Sequence, residues 1–154
     1  MTGARELVAT LTRRGETVAA AESLTAGLVC ATLAQVPGAS AVLRGGLVVY
    51  ATELKAALAG VDEQLLAEHG AVHPEVAAQL ARGARERCGA TWGLGLTGVA
   101  GPDPQDGVAP GTVYVGLSGP GVTTVRELAE PGDRDTIRTA SVRAAFVLLG
   151  EQLD

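Results

Sequence analysis

Lys55 is the single lysine of the chain, set against eleven arginines. A desolvated lysine amine can lose its proton near neutral pH, whereas a guanidinium cannot, so a chain that otherwise uses arginine can keep lysine where a base is needed. Lys55 lies five residues after Tyr50 and beyond a turn with a serine, Ala21-Glu22-Ser23-Leu24-Thr25-Ala26-Gly27. A serine where a strand hands over to a helix presents its hydroxyl at the carboxyl end of a sheet, and the free N–H groups of the following helix can hold an oxyanion. The ordinary role of such a serine is an N-cap. Tyr50 and Lys55 match neither Ser-x-x-Lys nor Tyr-x-x-x-Lys, but a lysine in the first turn of a helix feels the positive end of the dipole, which favours the neutral amine. His69 and His73 are the only imidazoles, and both fall near predicted helix boundaries, where capping or solvent exposure is the simpler role.

The elements that must position these groups alternate between helical and extended patterns. Residues 3 to 14 read as a helix ended by Gly15, and Thr17 to Ala21 as a strand. A second helix is predicted over Thr25 to Gln35, before the Pro37-Gly38 turn, and a strand over Leu47 to Tyr50. Thr52 is a plausible N-cap for the helix that holds Lys55 and closes at Gly60. Asp62 to His69 reads as a short helix, and Pro74 to about Cys88 as a longer one with proline at its first position. Thr91 to Thr97 reads as a strand, and Thr112 to Leu117 with Val122 to Leu128 as a hairpin; a last helix runs from Arg134 to about Leu149. This order predicts an α/β fold, a three-layer α/β/α sandwich with a mixed, partly parallel sheet, built as one domain over residues 1–154.

Composition narrows the function. A net charge of −5, a pI near 5.0 and 3% aromatic residues offer no basic surface or stacking platform for nucleic acid. Cys30 and Cys88 cannot build a disulfide framework or a Cys-x-x-Cys metal site, and buried free thiols are the simpler reading; no metal and no cofactor are expected. No run of apolar residues is long enough to span a membrane and the Met1-Thr2-Gly3 start is not a leader, so a cytoplasmic location is expected.

Two further segments can border a ligand. Gly93-Leu94-Gly95-Leu96-Thr97-Gly98 matches G-x-G-x-x-G formally, but the glycines fall inside a predicted strand and lead to Gly101-Pro102, not to a helix, so the dinucleotide context is missing. Gly98 to Pro102 reads as a tight loop whose amides can face a ligand or solvent. In Gly132-Asp133-Arg134, Asp133 can cap the last helix and Arg134 can pair with a phosphate or carboxylate; capping is the simpler role.

Taken in order, Ala21 to Gly27, Pro37 to Ser40, Gly46 to Tyr50, Glu53 to Lys55, His69 to Val72, Thr97 to Pro102, Gly111 to Val113 and Gly132 to Arg134 resemble the CinA C-terminal family over nearly the whole chain. Its characterised members are nicotinamide mononucleotide deamidases, also called PncC. The resemblance implies an amidohydrolase that converts nicotinamide mononucleotide to nicotinic acid mononucleotide and ammonia in bacterial pyridine nucleotide recycling. It implies Ser23 as nucleophile, with Lys55 and Tyr50 as activating partners. It also implies Thr25, Gly27, Gly46, Thr97, Gly98, Ala100, Gly101 and Thr112 around the substrate, and a homo-oligomer. Leu24 replaces the usual cysteine, Ala26 the usual glycine, and Ala51-Thr52 the usual Ser-Asn. The sequence resembles the stand-alone form, without the molybdopterin-binding-like domain of larger members. The alternative is a catalytically silent domain that serves a competence or DNA-damage partner.

Overall fold

Five strands form one mixed sheet in the order β2-β1-β3-β4-β5. The structure, a computed structural model, describes residues 3–154, so Met1 and Thr2 of the N-terminal reading lie outside it. Helix α1 (Ala4–Arg14) leads into β1 (Val18–Glu22), followed by α2 (Leu28–Ala34), β2 (Leu43–Val48), α3 (Thr52–Ala59), α4 (Glu63–His69) and α5 (Pro74–Cys88). Then come β3 (Trp92–Gly98), β4 (Thr112–Gly119), β5 (Val122–Ala129) and α6 (Arg134–Leu153). Strand β1 pairs in parallel with both β2 and β3, while β4 pairs antiparallel with both β3 and β5. The sandwich expected from the sequence is therefore present.

Alternation along the central strands decides which helices cover which face. Val18 and Ala20 of β1 share a core with Trp92, Leu94 and Leu96 of β3 and with α1, α2 and α6, while Ala19 and Ala21 face a second core with α3, α4 and α5. The glycines of the G-x-G-x-x-G string lie in β3, and a Cβ at Gly93 or Gly95 would stand 2.0 Å from Ala81 O or 2.4 Å from Ala77 O of α5. Those glycines permit close packing of a helix on a sheet, and the dinucleotide reading is excluded by that placement. Among the described residues, no helix is long and apolar enough to cross a membrane.

Three of the boundary differences from the sequence reading bear on the site. Helix α2 starts at Leu28 and not Thr25, because Ala26 (φ 47°) and Gly27 (φ 98°) are left-handed and break the helix path. Strand β2 covers Leu43–Val48 and not Leu47 to Tyr50; Gly45 and Gly46 hide its first half from an apolar pattern. Ala51 is the N-cap of α3, and Thr52, the expected cap, is its first helical residue and makes no capping bond. Asp62, His73 and Asp133 cap α4, α5 and α6 through their side chains.

Candidate active site

The parallel strands β1, β2 and β3 all end on the same edge of the sheet, and β1 lies between the other two. Its outgoing connection goes to one side and β3 returns on the other, so the crevice at the carboxyl end of β1 is where a ligand fits such a sheet. Ser23 is the next residue. Its amide donates to Leu96 O of β3 at 3.0 Å and its carbonyl accepts from Ala26 N–H at 3.0 Å, which closes a tight turn. This turn borders a cavity of about 400 Å³ walled by Ser23, Leu24, Tyr50, Arg134 and the loop 98–105.

The amides that the sequence reading assigned to an oxyanion are not all free. Glu22, 1% exposed, accepts from the first helical amides Val29 N–H (2.8 Å) and Cys30 N–H (3.1 Å). A buried carboxylate is thus held by the positive end of α2. The helix-end donors are occupied. Among the described residues, none accepts from the amides of Leu24 and Thr25.

Lys55 is 1% exposed, and its Nζ donates to Val49 O at 2.8 Å and Tyr50 O at 3.1 Å. Burial pulls its pKa down from 10.5 to about 8, opposed by the nearby Glu53 carboxylate. Val48 pairs with Glu22, and Val49 N–H donates to Glu22 O at 2.9 Å, so Val49 and Ser23 follow in step on neighbouring strands. The amine therefore sits under the residue alongside Ser23. Its two hydrogen bonds go to carbonyls and none goes to Ser23. Tyr50 faces the cavity and is 55% exposed; its Oη accepts from Arg134 Nη2 at 2.7 Å, and Arg134 Nη1 donates to Gly101 O.

Of the expected binding residues, Gly98, Ala100 and Gly101 line the cavity. The others do not. Thr25 is fully buried, and its hydroxyl has no partner among the described residues. Gly27 opens α2. A Cβ at Gly46 would meet Cys30 Sγ at 2.4 Å, so this glycine makes room for α2. Thr97 donates to Ala71 O at 2.7 Å, and the Thr112 carbonyl accepts from Val99 N–H at 2.9 Å. His69 and His73 stand away from this cavity, and His73 Nδ1 accepts from Glu75 N–H at 3.1 Å as a cap.

For Gly132-Asp133-Arg134 capping was the simpler role, and the structure shows a part for each charged residue: Asp133 caps α6 by accepting from Thr136 N–H at 2.9 Å, and Arg134 lines the cavity. A cation at the positive end of a helix is electrostatically misplaced, and that misplacement is the signal that it serves something else. The wall residues Leu24, Asp103 and Gln105 carried no such signal.

The family model of the CinA C-terminal domain matches residues 2–153. The chain belongs to that family. It is 52% identical over 143 residues to a CinA-like protein of Frankia casuarinae, covering 93% of this chain and 33% of that protein. It is 51% identical over 144 residues to a CinA-like protein of an Anaeromyxobacter strain, covering 93% of this chain and 35% of that protein. The chain thus spans about a third of the length of these curated relatives. Among solved structures, the competence/damage inducible protein CihA of Agrobacterium tumefaciens is similar with a TM-score of 0.93 and 33% identity, over 96% of this chain and 92% of that one. A competence or damage-inducible protein of Enterobacter asburiae is similar with a TM-score of 0.94 and 27% identity over the full length of both.

Proposed function

We propose that this CinA-type domain hydrolyses the carboxamide of nicotinamide mononucleotide to nicotinic acid mononucleotide and ammonia by a serine–lysine mechanism. The observation that carries the reading is a serine on a cavity wall with a buried, easily neutralised lysine amine under the adjoining strand position. With a pKa of about 8, roughly one amine in ten is neutral at pH 7. A neutral amine has two N–H bonds, which the Val49 and Tyr50 carbonyls take, and one lone pair left to accept a proton.

In this reading the lone pair removes the Ser23 proton, directly once substrate seats or through one water, since such contacts tighten in the substrate complex. Ser23 Oγ bonds the amide carbon, and the Leu24 amide, next after the nucleophile and unclaimed, donates to the oxyanion. The Lys55 ammonium returns its proton to the amide nitrogen, the C–N bond breaks and ammonia leaves. Water, deprotonated by the same amine, then attacks the ester carbon and restores the Ser23 hydroxyl. Tyr50 supports the base through its carbonyl and faces the substrate with its phenol, while Arg134 supplies a positive charge that suits a phosphorylated substrate. A cavity near 400 Å³ is within the range of small-ligand sites.

Ammonia release from nicotinamide mononucleotide tests this. Ser23→Ala and Lys55→Arg are expected to lose at least about 1,000-fold in kcat with folding intact, because the first removes the nucleophile and the second substitutes a group that does not deprotonate. Activity retained by either folded variant refutes the assigned roles. Silence of the wild type toward every pyridine-nucleotide amide refutes the substrate and favours an interaction module.

A further inference from the structure

Helix α6 touches the site twice. Its first residue, Arg134, holds Tyr50 and Gly101 at the cavity wall. One turn on, Arg138 donates from Nε to Leu24 O at 2.8 Å and from Nη2 to Thr25 O at 3.2 Å. These are the two carbonyls directly after Ser23, and among the described residues no other side chain bonds the backbone of residues 24–27. Arg138 itself does not line the cavity.

The turn that receives these bonds is costly in two ways. Ala26 is left-handed at φ 47°, and the buried Thr25 hydroxyl has no partner among the described residues. Backbone of this kind persists only where its surroundings over-determine it, and such positions gather at functional sites. Because each peptide unit is planar, fixing the Leu24 and Thr25 carbonyls fixes the 24–25 and 25–26 peptide planes, and the Ser23 carbonyl, which accepts from Ala26 N–H at 3.0 Å, closes the turn back onto Ser23. A guanidinium presents two donors in a rigid fork, which a lysine amine does not.

We propose that Arg138 is a positioning residue, which holds the 23–27 turn so that the Ser23 hydroxyl points at the bound carbonyl. The proposal rests on the reading of Ser23 as nucleophile. Arg138 makes no contact with substrate in this scheme, so its loss affects the rate of bond formation and spares binding. Releasing a nucleophile by about 1 Å costs on the order of 100-fold in rate.

The experiment compares the full chain with Arg138→Lys and Arg138→Met, both tolerable because Arg138 is partly exposed, and with Ser23→Ala as the blank. A fluorophosphonate reports nucleophile placement independently of the natural substrate: Ser23 Oγ bonds phosphorus, fluoride leaves and the hydroxyl proton passes to the base. Both Arg138 variants are expected to label about 100-fold more slowly. Their kcat on nicotinamide mononucleotide falls by the same factor, while KM and affinity for nicotinic acid mononucleotide stay within about twofold. Wild-type labelling rates in either folded variant overturn the proposal, and so does a loss of binding that matches the loss of rate. Labelling that depends on Arg138 in a protein that leaves nicotinamide mononucleotide intact sustains the proposal and removes only the substrate. A wild type whose Ser23 is not labelled removes both.

Discussion

On one face of the sheet, Trp92, Leu94 and Leu96 of β3 share a core with Leu11, Phe146 and Leu149; on the other, Gly93 and Gly95 of the same strand lie against the backbone of α5. The first face is fastened by side-chain volume, the second by backbone approach. Alanines at 77, 78, 81 and 84 keep α5 thin, and a Cβ at Gly83 would stand 1.9 Å from Ala59 O, so α3 is pressed onto α5 in turn. The base belongs to the backbone-packed face: Lys55 projects from α3, whose position has no slack. The nucleophile's turn is tied by Arg138 to α6 on the other face. The site thus joins two layers that respond to substitution by different rules.

Neighbouring residues of β3 provide the sharpest way to break this contrast. Gly95→Ala adds one methyl 2.4 Å from Ala77 O and 2.5 Å from Ala81 N, backbone atoms that cannot rotate aside. The expected cost is about 4 kcal/mol or more, or failure to fold. Leu94→Ala, on the opposite face, removes three carbons from a fully buried side chain and is expected to cost about 3 kcal/mol and leave a foldable protein. Urea unfolding of the two variants checks both. A milder loss in Gly95→Ala than in Leu94→Ala would show that α5 can retreat from the sheet.

The charge buried on the thin side gives a second, smaller test. A lysine whose folded pKa lies below its unfolded value binds fewer protons in the native state between the two, so unfolding free energy rises with pH across that interval. For Lys55 the interval runs from about 8 to 10.5. The penalty is fully present below it, and its removal is worth up to about 3 kcal/mol as pH rises. The difference in unfolding free energy between the wild type and Lys55→Met, measured at about pH 7.5 and about pH 10.5, isolates this change because every other titrating group is common to both. A difference that is flat with pH would mean that the amine is as well solvated folded as unfolded.

How far the sequence reveals these layers depends on the range of the interactions. The hairpin, the cap at Asp133 and the proline start of α5 are local signals, and all are present. Strand β2 was misread because Gly45-Gly46 carries no side chains for a pattern to use. The start of α2 was misread because its capping acceptor, Glu22, lies seven residues before Val29, outside the usual cap window. At the site, Ser23, Gly98, Ala100 and Gly101 were legible as turn and loop residues and Tyr50 as a strand end, and all line one cavity. Arg138 was not, since it reaches Leu24 from 114 residues away and only the packing of α6 brings them together. Gly46 admits Cys30 against the sheet and Thr97 bonds Ala71, contacts across the fold that no local pattern reveals.

The smallest expected effect concerns the turn between the two layers, which is neither volume-packed nor backbone-packed but strained. Ala26 at φ 47° occupies a region that costs a residue with a Cβ about 1–2 kcal/mol. Glycine removes that cost and returns about 0.5–1 kcal/mol to the unfolded chain as extra freedom. Ala26→Gly is therefore expected to gain about 0.5–1 kcal/mol, a rise of roughly 2 °C in Tm for a chain of this size. Pairing it with Arg138→Met separates the two roles of the turn. If the guanidinium is what holds a conformation that alanine resists, glycine at 26 relaxes the turn and recovers part of the Ser23 labelling rate lost with Arg138. If the rate stays low while stability rises, the strain at Ala26 is incidental, and the orientation of Ser23 depends on Arg138 alone.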